Sequence, residues 1–368
     1  MIRRSMCLLA IGALPFGAGR LVGQDSQFGV RTLGTPARQE SVRARGTGGA
    51  FVLFDPLSPL AEAPLAGLER GVFGAQTQIT RRRVEFAGGE SSDLKDSRFP
   101  VLIAAGSTRW KISVGTGFAT YLERSYLVTR RDSVLLRGVM QPYSDEQKSD
   151  GNVADLRLAL AGRPTARIAI GGAVHLLTGS TQEEVRRRWD DSVTYRNTFE
   201  LENVEYTGFG VSVSTVVSVA PRIRIAGWFR TDGKLDTKAR AGTTATTELP
   251  TQYGAAVEWR PRGVLRLAGS LRWAGWGVAP GGHDSFNWAV GAEAGSSALP
   301  VRLGVRRDHL AFGPGPDAPT EWGVTAGLGR GFGQGRARID LALERVLRSG
   351  EGLKEKLWTL QIGLVVQP

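Results

Sequence analysis

The feature that most restricts how this chain can fold is a two-residue rhythm in which apolar side chains oppose arginine. In RIRIAGWFR, residues 222–230, Arg222, Arg224, Trp228 and Arg230 share one parity, while Ile223, Ile225 and Phe229 share the other. Successive side chains of a strand point to opposite faces, so this segment builds a sheet with one basic and one apolar face. The pattern recurs. Ile168, Ile170, Val174 and Leu176 oppose Arg167, Ala169, Gly171 and His175, and Leu265, Leu267, Leu271 and Trp273 oppose Arg266, Ser270 and Arg272. Trp358, Leu360, Ile362 and Leu364 oppose Thr359, Gln361 and Gly363. Such a sheet closes in one of two ways. A soluble sandwich turns the apolar face inward; a membrane barrel turns it outward to hydrocarbon and lines its interior with charge.

Alternating segments follow one another near residues 72–86, 98–106, 110–124, 153–161, 165–177, 205–219, 221–232, 251–260, 263–276, 285–295, 299–312, 320–330, 335–347 and 355–366. This makes about fourteen, and an even number suits a closed outer-membrane barrel. The connections sort by length. Those after even-numbered segments are short, such as AGRPT, VAPR, RPRG and GFGQG. Those after odd-numbered segments are mostly longer, and 125–152, 178–204 and 233–250 are rich in charge and Thr. Short turns at one end and long loops at the other are the habit of such barrels; sandwiches and propellers have no reason for it. Trp259, Trp273, Trp288, Trp322 and Trp358 fall near segment ends, where an aromatic girdle meets headgroups. No apolar run after the N-terminus is long enough for a spanning helix. The expected fold is all-β: a transmembrane antiparallel barrel of about fourteen strands. Ile223, Ile225 and Phe229 then face lipid, and Arg222, Arg224 and Arg230 face the lumen. Within 178–204, TQEEVRRRWDD (181–191) reads as a short charged helix.

The N-terminus joins Arg3 and Arg4 to a short apolar run and reaches the small residue Gly23, the plan of a secretory signal peptide over residues 1–23. Its removal takes away Cys7, the sole cysteine, and with it any disulfide or thiolate metal site. Residues 24–71 do not alternate. Gly48 and Gly49 permit positive φ and close backbone approach, and the run Phe51 to Phe54 needs burial that a barrel interior offers. The Gly-rich RGTGGAFVLFDPLSPL (45–60), followed by EAPLAGL (62–68), resembles the FadL family of outer-membrane transporters for long-chain fatty acids and other hydrophobic compounds. The resemblance implies that residues 24–71, with Gly48, Gly49, Phe51, Phe54 and Pro64, form a hatch inside a barrel made by residues 72–368. Where that family usually carries Asn-Pro-Ala, this chain has Ala63-Pro64-Leu65-Ala66, which keeps the proline and lacks the asparagine side chain. The resemblance also implies ligand capture near the extracellular end and sideways exit beside a kinked third strand. Gly115 and Gly117 in the third segment suit such a gap, since glycine within a strand often marks a bulge or a close approach.

Seven arginines lie on or near the short turns: Arg167, Arg222, Arg224, Arg266, Arg302, Arg336 and Arg338. A guanidinium pairs well with a carboxylate. The set therefore either holds the carboxylate of a fatty acid-like ligand, or braces the wall by pairing with inward Glu258, Asp308, Asp340 and Glu344. The formal net charge of +12 in a secreted chain suits anionic headgroups or an anionic ligand rather than nucleic acid. No cluster has metal-ligand spacing, and GLGRGFGQG (327–335) follows no strand–helix pattern, so it is a turn and not a phosphate cradle. His175, His283 and His309 single out no nucleophile. Enzyme, metal and cofactor are thus not expected. The sequence points to an outer-membrane channel for passive uptake of hydrophobic or amphipathic small molecules. Its expected partners are outer-membrane lipid, lipopolysaccharide and the barrel-assembly machinery, although the chain closes on VVQP rather than on the aromatic residue that machinery usually reads. Two alternatives stay open: a structural or secretion-associated barrel that does not transport, and a soluble secreted β-protein.

Overall fold

The computed structural model describes residues 26–367, apart from residues 31, 87–90, 109, 111, 241 and 297. The signal peptide expected at residues 1–23, with Cys7, lies outside the described residues, as does Pro368.

Fourteen strands close an antiparallel barrel. They are β1 Val72–Phe86, β2 Ser91–Ser107, β3 Ile112–Glu123, β4 Val139–Thr165, β5 Ile168–Trp189, β6 Thr198–Ala220 and β7 Ile223–Thr231. There follow β8 Thr251–Arg262, β9 Leu265–Ala274, β10 Ser285–Ser296, β11 Leu299–His309, β12 Thr320–Phe332, β13 Ala337–Gly350 and β14 Leu353–Val366. Neighbours in sequence pair, and β14 closes the ring on β1 from Leu353↔Phe86 to Val366↔Phe73. Each alternating segment of the sequence corresponds to one strand.

The rim with the long connections differs from expectation. Residues 125–152, 178–204 and 233–250 mostly prolong the strands rather than loop. β3 resumes as Tyr126–Leu136 against the first part of β4. β7 resumes as Lys234–Ala239, in a hairpin with Thr244–Glu248. The stretch expected to be a short charged helix is strand as well. Thr181 to Trp189 pair with Gly151 to Tyr143 on one side, and Thr181 to Arg187 pair with Val204 to Thr198 on the other. Two flanking strands offer a backbone partner to nearly every residue there, and that ladder outweighs a weak helical preference.

The apolar parity faces outward. Leu158, Leu303 and Val324 are 54%, 61% and 60% exposed, whereas Arg230, Arg302 and Arg306 on the other parity are 1–2% exposed. Every wall strand contributes exposed Leu, Val, Ile, Phe or Trp to this belt. A continuous apolar surface of that extent belongs against hydrocarbon and not water, which removes the soluble alternative. Ile223, Ile225 and Phe229 are exposed, Trp228 and Arg230 are buried, Arg224 is half-buried, and Arg222 is exposed at the turn.

The described residues between Ser26 and Leu68 fill the interior as a plug. Helix α1, Val42–Gly46, is capped by Ser41, whose Oγ accepts the Ala44 N–H at 3.0 Å. It lies against β11 to β14. Gly49 donates its N–H back to Ala44 O at 2.8 Å, and Gly48 and Gly49, at φ 70 and 98, turn the chain out of the helix. Two short turns, Val52–Phe54 and Ala63–Gly67, press Val52, Leu53, Phe54 and Ala63 against Val216, Ala226, Trp228 and Ala256 of the wall.

Candidate functional site: the plugged lumen

Two buried polar clusters tie the plug to the wall. The first surrounds Glu40, which is 0% exposed. Its carboxylate takes Arg38 Nη2 at 2.7 Å and Arg272 Nη2 of β9 at 2.9 Å. Burial raises the Glu40 carboxyl, and Arg38, Arg272 and Arg45 outweigh that, holding it below its ordinary value. Glu344 of β13 accepts Arg306 Nε of β11 at 2.7 Å and Arg38 Nη1 of the plug at 2.8 Å. The second cluster holds Glu62, at the start of the Ala63–Gly67 turn. Its carboxylate accepts Ser212 Oγ at 2.7 Å and Ser214 Oγ at 2.8 Å, both from β6. Ser214 Oγ in turn accepts the N–H of Glu62 at 2.9 Å and of Ala63 at 2.8 Å. Ala63 has no polar side chain, so the carboxylate of Glu62 and two backbone donors supply the anchor.

Ser212 also stands 2.8 Å from Nε2 of His175, whose Nδ1 lies 2.9 Å from Asp155. Serine, imidazole and carboxylate in that order have the spacing of a hydrolytic triad. The surroundings give them another task. Ser212 has one hydrogen and two neighbours that could accept it. Glu62 takes that hydrogen at 2.7 Å, which ties the serine to the plug. Arg157 and Arg230 stand against Glu62, Asp155 and Asp232, all of them buried, and buried charges need such pairing. Parity placed His175 inward, but Asp155 and Ser212 lie 20 and 37 residues away in sequence, and only cross-strand register brings them together.

The arginines singled out from sequence separate into two groups. Arg302 is buried, with Nε on Glu293 at 2.9 Å and Nη1 on Asp340 at 2.7 Å. Arg224 Nε donates to Glu258 at 2.8 Å, Arg338 Nε to Asp340 at 2.7 Å, and Arg266 lies 3.7 Å from Glu293. Arg167, Arg222 and Arg336 sit exposed at the short turns, outside the lumen. The carboxylates named as possible braces, Glu258, Asp308, Asp340 and Glu344, all carry guanidiniums. Sequence reading overlooked Arg306, which meets Asp308, Glu321 and Glu344. Its inward parity was the available signal.

Of the hatch residues, Phe51 and Phe54 are buried and Pro64 opens the second short turn. Gly115 faces the plug, where an added Cβ would come 2.9 Å from Leu65 Cδ1. Gly115 and Gly117 both lie within fully paired wall, opposite Ala105 and Ile103 of β2 and Ala159 and Arg157 of β4. The wall breaks further along. The β2–β3 ladder runs from Ser107↔Ser113 to Val101↔Ala119 and stops. The next residue of β2 is Pro100, which has no N–H to give, and β3 bulges between Thr120 and Leu122. Beyond this point β2 keeps β1 and β3 keeps β4, while the freed edge of β3 pairs with Thr35–Pro36 of the plug. Arg98 and Glu123 form an ion pair across the break.

A cavity of about 140 Å³ lies between the plug and the rim with the longer connections. Phe28, Tyr121, Trp276, Leu310 and Phe312 supply its apolar wall, and Arg38, Gln39 and Arg272 its polar wall. Trp276 meets Phe312 edge to face at 5.4 Å and Tyr121 at 6.3 Å. Thr35, Pro36 and Tyr121 line both this cavity and the broken edge of β3.

A fourteen-stranded barrel stoppered by its own N-terminal segment is the FadL-type fold. Solved structures of that kind are similar to this chain. A Pseudomonas aeruginosa FadL homologue matches with a TM-score of 0.65 and 12% identity, over 91% of this chain and 99% of that one. The P. putida toluene transporter TodX matches with a TM-score of 0.61 and 12% identity, over 90% and 99%. The Ralstonia pickettii toluene transporter TbuX matches with a TM-score of 0.60 and 14% identity, over 92% and 100%. Likeness at such identities establishes a shared fold. No protein-family model and no curated protein matches the sequence.

Proposed function

We propose that the protein is a passive outer-membrane channel for small hydrophobic molecules of about the size of one aromatic ring. The cavity carries this reading. It holds about 140 Å³ between Phe28, Tyr121, Trp276 and Phe312, and an apolar cavity of roughly 150 Å³ accommodates a benzene ring. Two of the similar structures are described as toluene transporters. A long acyl chain would need a longer tunnel, and Arg224, Arg266, Arg302 and Arg338 already have carboxylate partners. The ligand enters from the rim with the longer connections, rests among the aromatic rings, and leaves sideways through the break between β2 and β3. The barrel itself gives the route only a downhill direction.

The experiment is uptake of labelled toluene into vesicles carrying the purified protein. Phe312→Arg places an unpaired charge in the cavity, and uptake should fall on the order of tenfold or more while the barrel stays folded. Undiminished uptake by a folded Phe312→Arg protein, or none by the unaltered one, would sink the proposal and favour a barrel that does not transport.

A further inference from the structure

Along β13, β14, β1 and β2 the outward face of the wall carries a band of basic side chains above an apolar belt. On β13, β14, β1 and β2, Arg345, Trp358, Arg81 and Lys95 stand in one register row, each opposite the next. All four belong to the outward parity. Strands lie about 4.8 Å apart, so the row spans roughly 15 Å. The adjacent row toward the rim with the longer connections brings Lys356 and Arg83, with Lys354 beyond it. On the other side the outward residues turn apolar at once: Leu343, Leu360 and Ile79 occupy the next row, followed by Leu341 and Ile362. Arg345 lies over the Trp358 ring at 5.1 Å.

The carboxylates on this face are fewer than the cations. Glu85 takes Lys356 at 2.7 Å and Arg83 at 3.8 Å, and Asp93 is the other acid of the sector. Arg81, Lys95 and Lys354 have no carboxylate within ion-pair distance among the described residues. Elsewhere the outward residues mix signs: Asn152, Ser180 and Glu205 form one row across β4, β5 and β6, and Lys238 stands opposite Glu205. The basic charge of this sector is in excess of its acids. It sits at the edge of the lipid-facing belt, beside a tryptophan, where headgroups lie. Uncompensated cations packed this closely repel one another unless an anion joins them.

We propose that this sector of β13, β14, β1 and β2 is a fixed site for the phosphate groups of an outer-leaflet glycolipid. Arg81, Arg83, Lys95, Arg345 and Lys356 take the phosphates, and the acyl chains run down over Leu343, Leu360 and Ile362. Guanidinium and ammonium groups hold phosphate by charge-assisted hydrogen bonds, and each surface cation adds attraction to an anionic leaflet. The continuous apolar belt beneath the charges selects a lipid over a free anion. The inference rests on the membrane-spanning fold, not on what the channel carries.

The test uses the full-length barrel exchanged into detergent with added lipopolysaccharide, then washed and analysed for retained lipid by mass spectrometry. The unaltered protein should retain the phosphorylated lipid. Arg81→Glu with Lys95→Glu should retain about tenfold less or lower still, from the loss and reversal of two surface cations. Asn152→Glu with Ser180→Glu, an exposed pair on β4 and β5 away from the sector, should retain as much as the unaltered protein. Heat-modifiable gel migration confirms that each variant is folded. Equal retention by all three proteins, equal loss in both variants, or equal binding of a dephosphorylated glycolipid would overturn the site. Displacement by millimolar pyrophosphate as readily as by lipid would make it an anion site and overturn the lipid assignment. Toluene uptake in vesicles free of glycolipid reads the channel separately, so failure of one proposal is distinguishable from failure of the other.

Discussion

Arg302 reaches Asp340 across an entire strand. It stands on β11 and the carboxylate on β13, and between them β12 offers Gly327, in register with Arg302 on one side and Ala342 on the other. Gly323 does the same for Arg306 and Glu344, and a Cβ there would come 2.8 Å from Arg306 Nε. Buried guanidiniums are tolerable only with such complete pairing, and removing one partner of a buried pair costs about 3–5 kcal/mol. Glu40→Gln should therefore lower resistance to heat at neutral pH by about that amount, read as the temperature at which gel migration shifts. The acid limb follows from the same residue. Its folded-state carboxyl lies below the ordinary value of 4.5, so its contribution is complete above the unfolded value and fades as pH falls through the lower folded one. Glu40→Gln should flatten that part of the acid profile, and an unchanged profile would show that Glu40 contributes nothing there. Parity alone marked Arg302 as inward. Its partner is 38 residues away and was not legible, because alternation tells which face a side chain takes but not which residue stands two strands over.

Strands were legible one by one because each repeats the same two-residue rule along its length. The plug was legible only as a segment that breaks the rule, and its anchors were not. Glu62, Ser212 and Ser214 carry no signature in sequence: two serines on the inward parity of β6 look like small lumen residues. The missing asparagine beside Pro64 was visible, and the structure shows what replaces it. Ser214 Oγ serves three partners at once, the Glu62 carboxylate and the N–H groups of Glu62 and Ala63. Ser214→Ala leaves the N–H groups of Glu62 and Ala63 buried without this acceptor, at about 1–3 kcal/mol for each. Amide exchange across residues 60–68 should then quicken while exchange in β10 to β13 stays the same. Unchanged exchange at residues 60–68 would mean that packing of Leu65 and Ala63 alone holds the turn.

At the scale of the whole molecule, the plug and the broken wall pose one question: does cargo pass through the lumen or around it? The end of the lumen toward the short turns is crowded with α1 and with Arg43, Arg302, Glu293 and Asp340 in mutual contact. An apolar molecule leaving that way must displace a helix and part buried ion pairs. The sideways route asks only for movement of Thr35–Pro36 and the Arg98–Glu123 pair beside the cavity. Tying the plug to the wall separates the two. A Cβ on Gly363 of β14 would lie 3.2 Å from Val42 Cβ at the start of α1, near enough for Val42→Cys and Gly363→Cys to be joined with a small backbone adjustment. Oxidation then locks α1 to β14 and leaves the region of Thr35 and Pro36 free. Toluene uptake should be nearly the same in the oxidised and reduced forms of this variant. If oxidation abolishes uptake and reduction restores it, the plug must leave its seat, and the break between β2 and β3 is a feature of the wall rather than an exit.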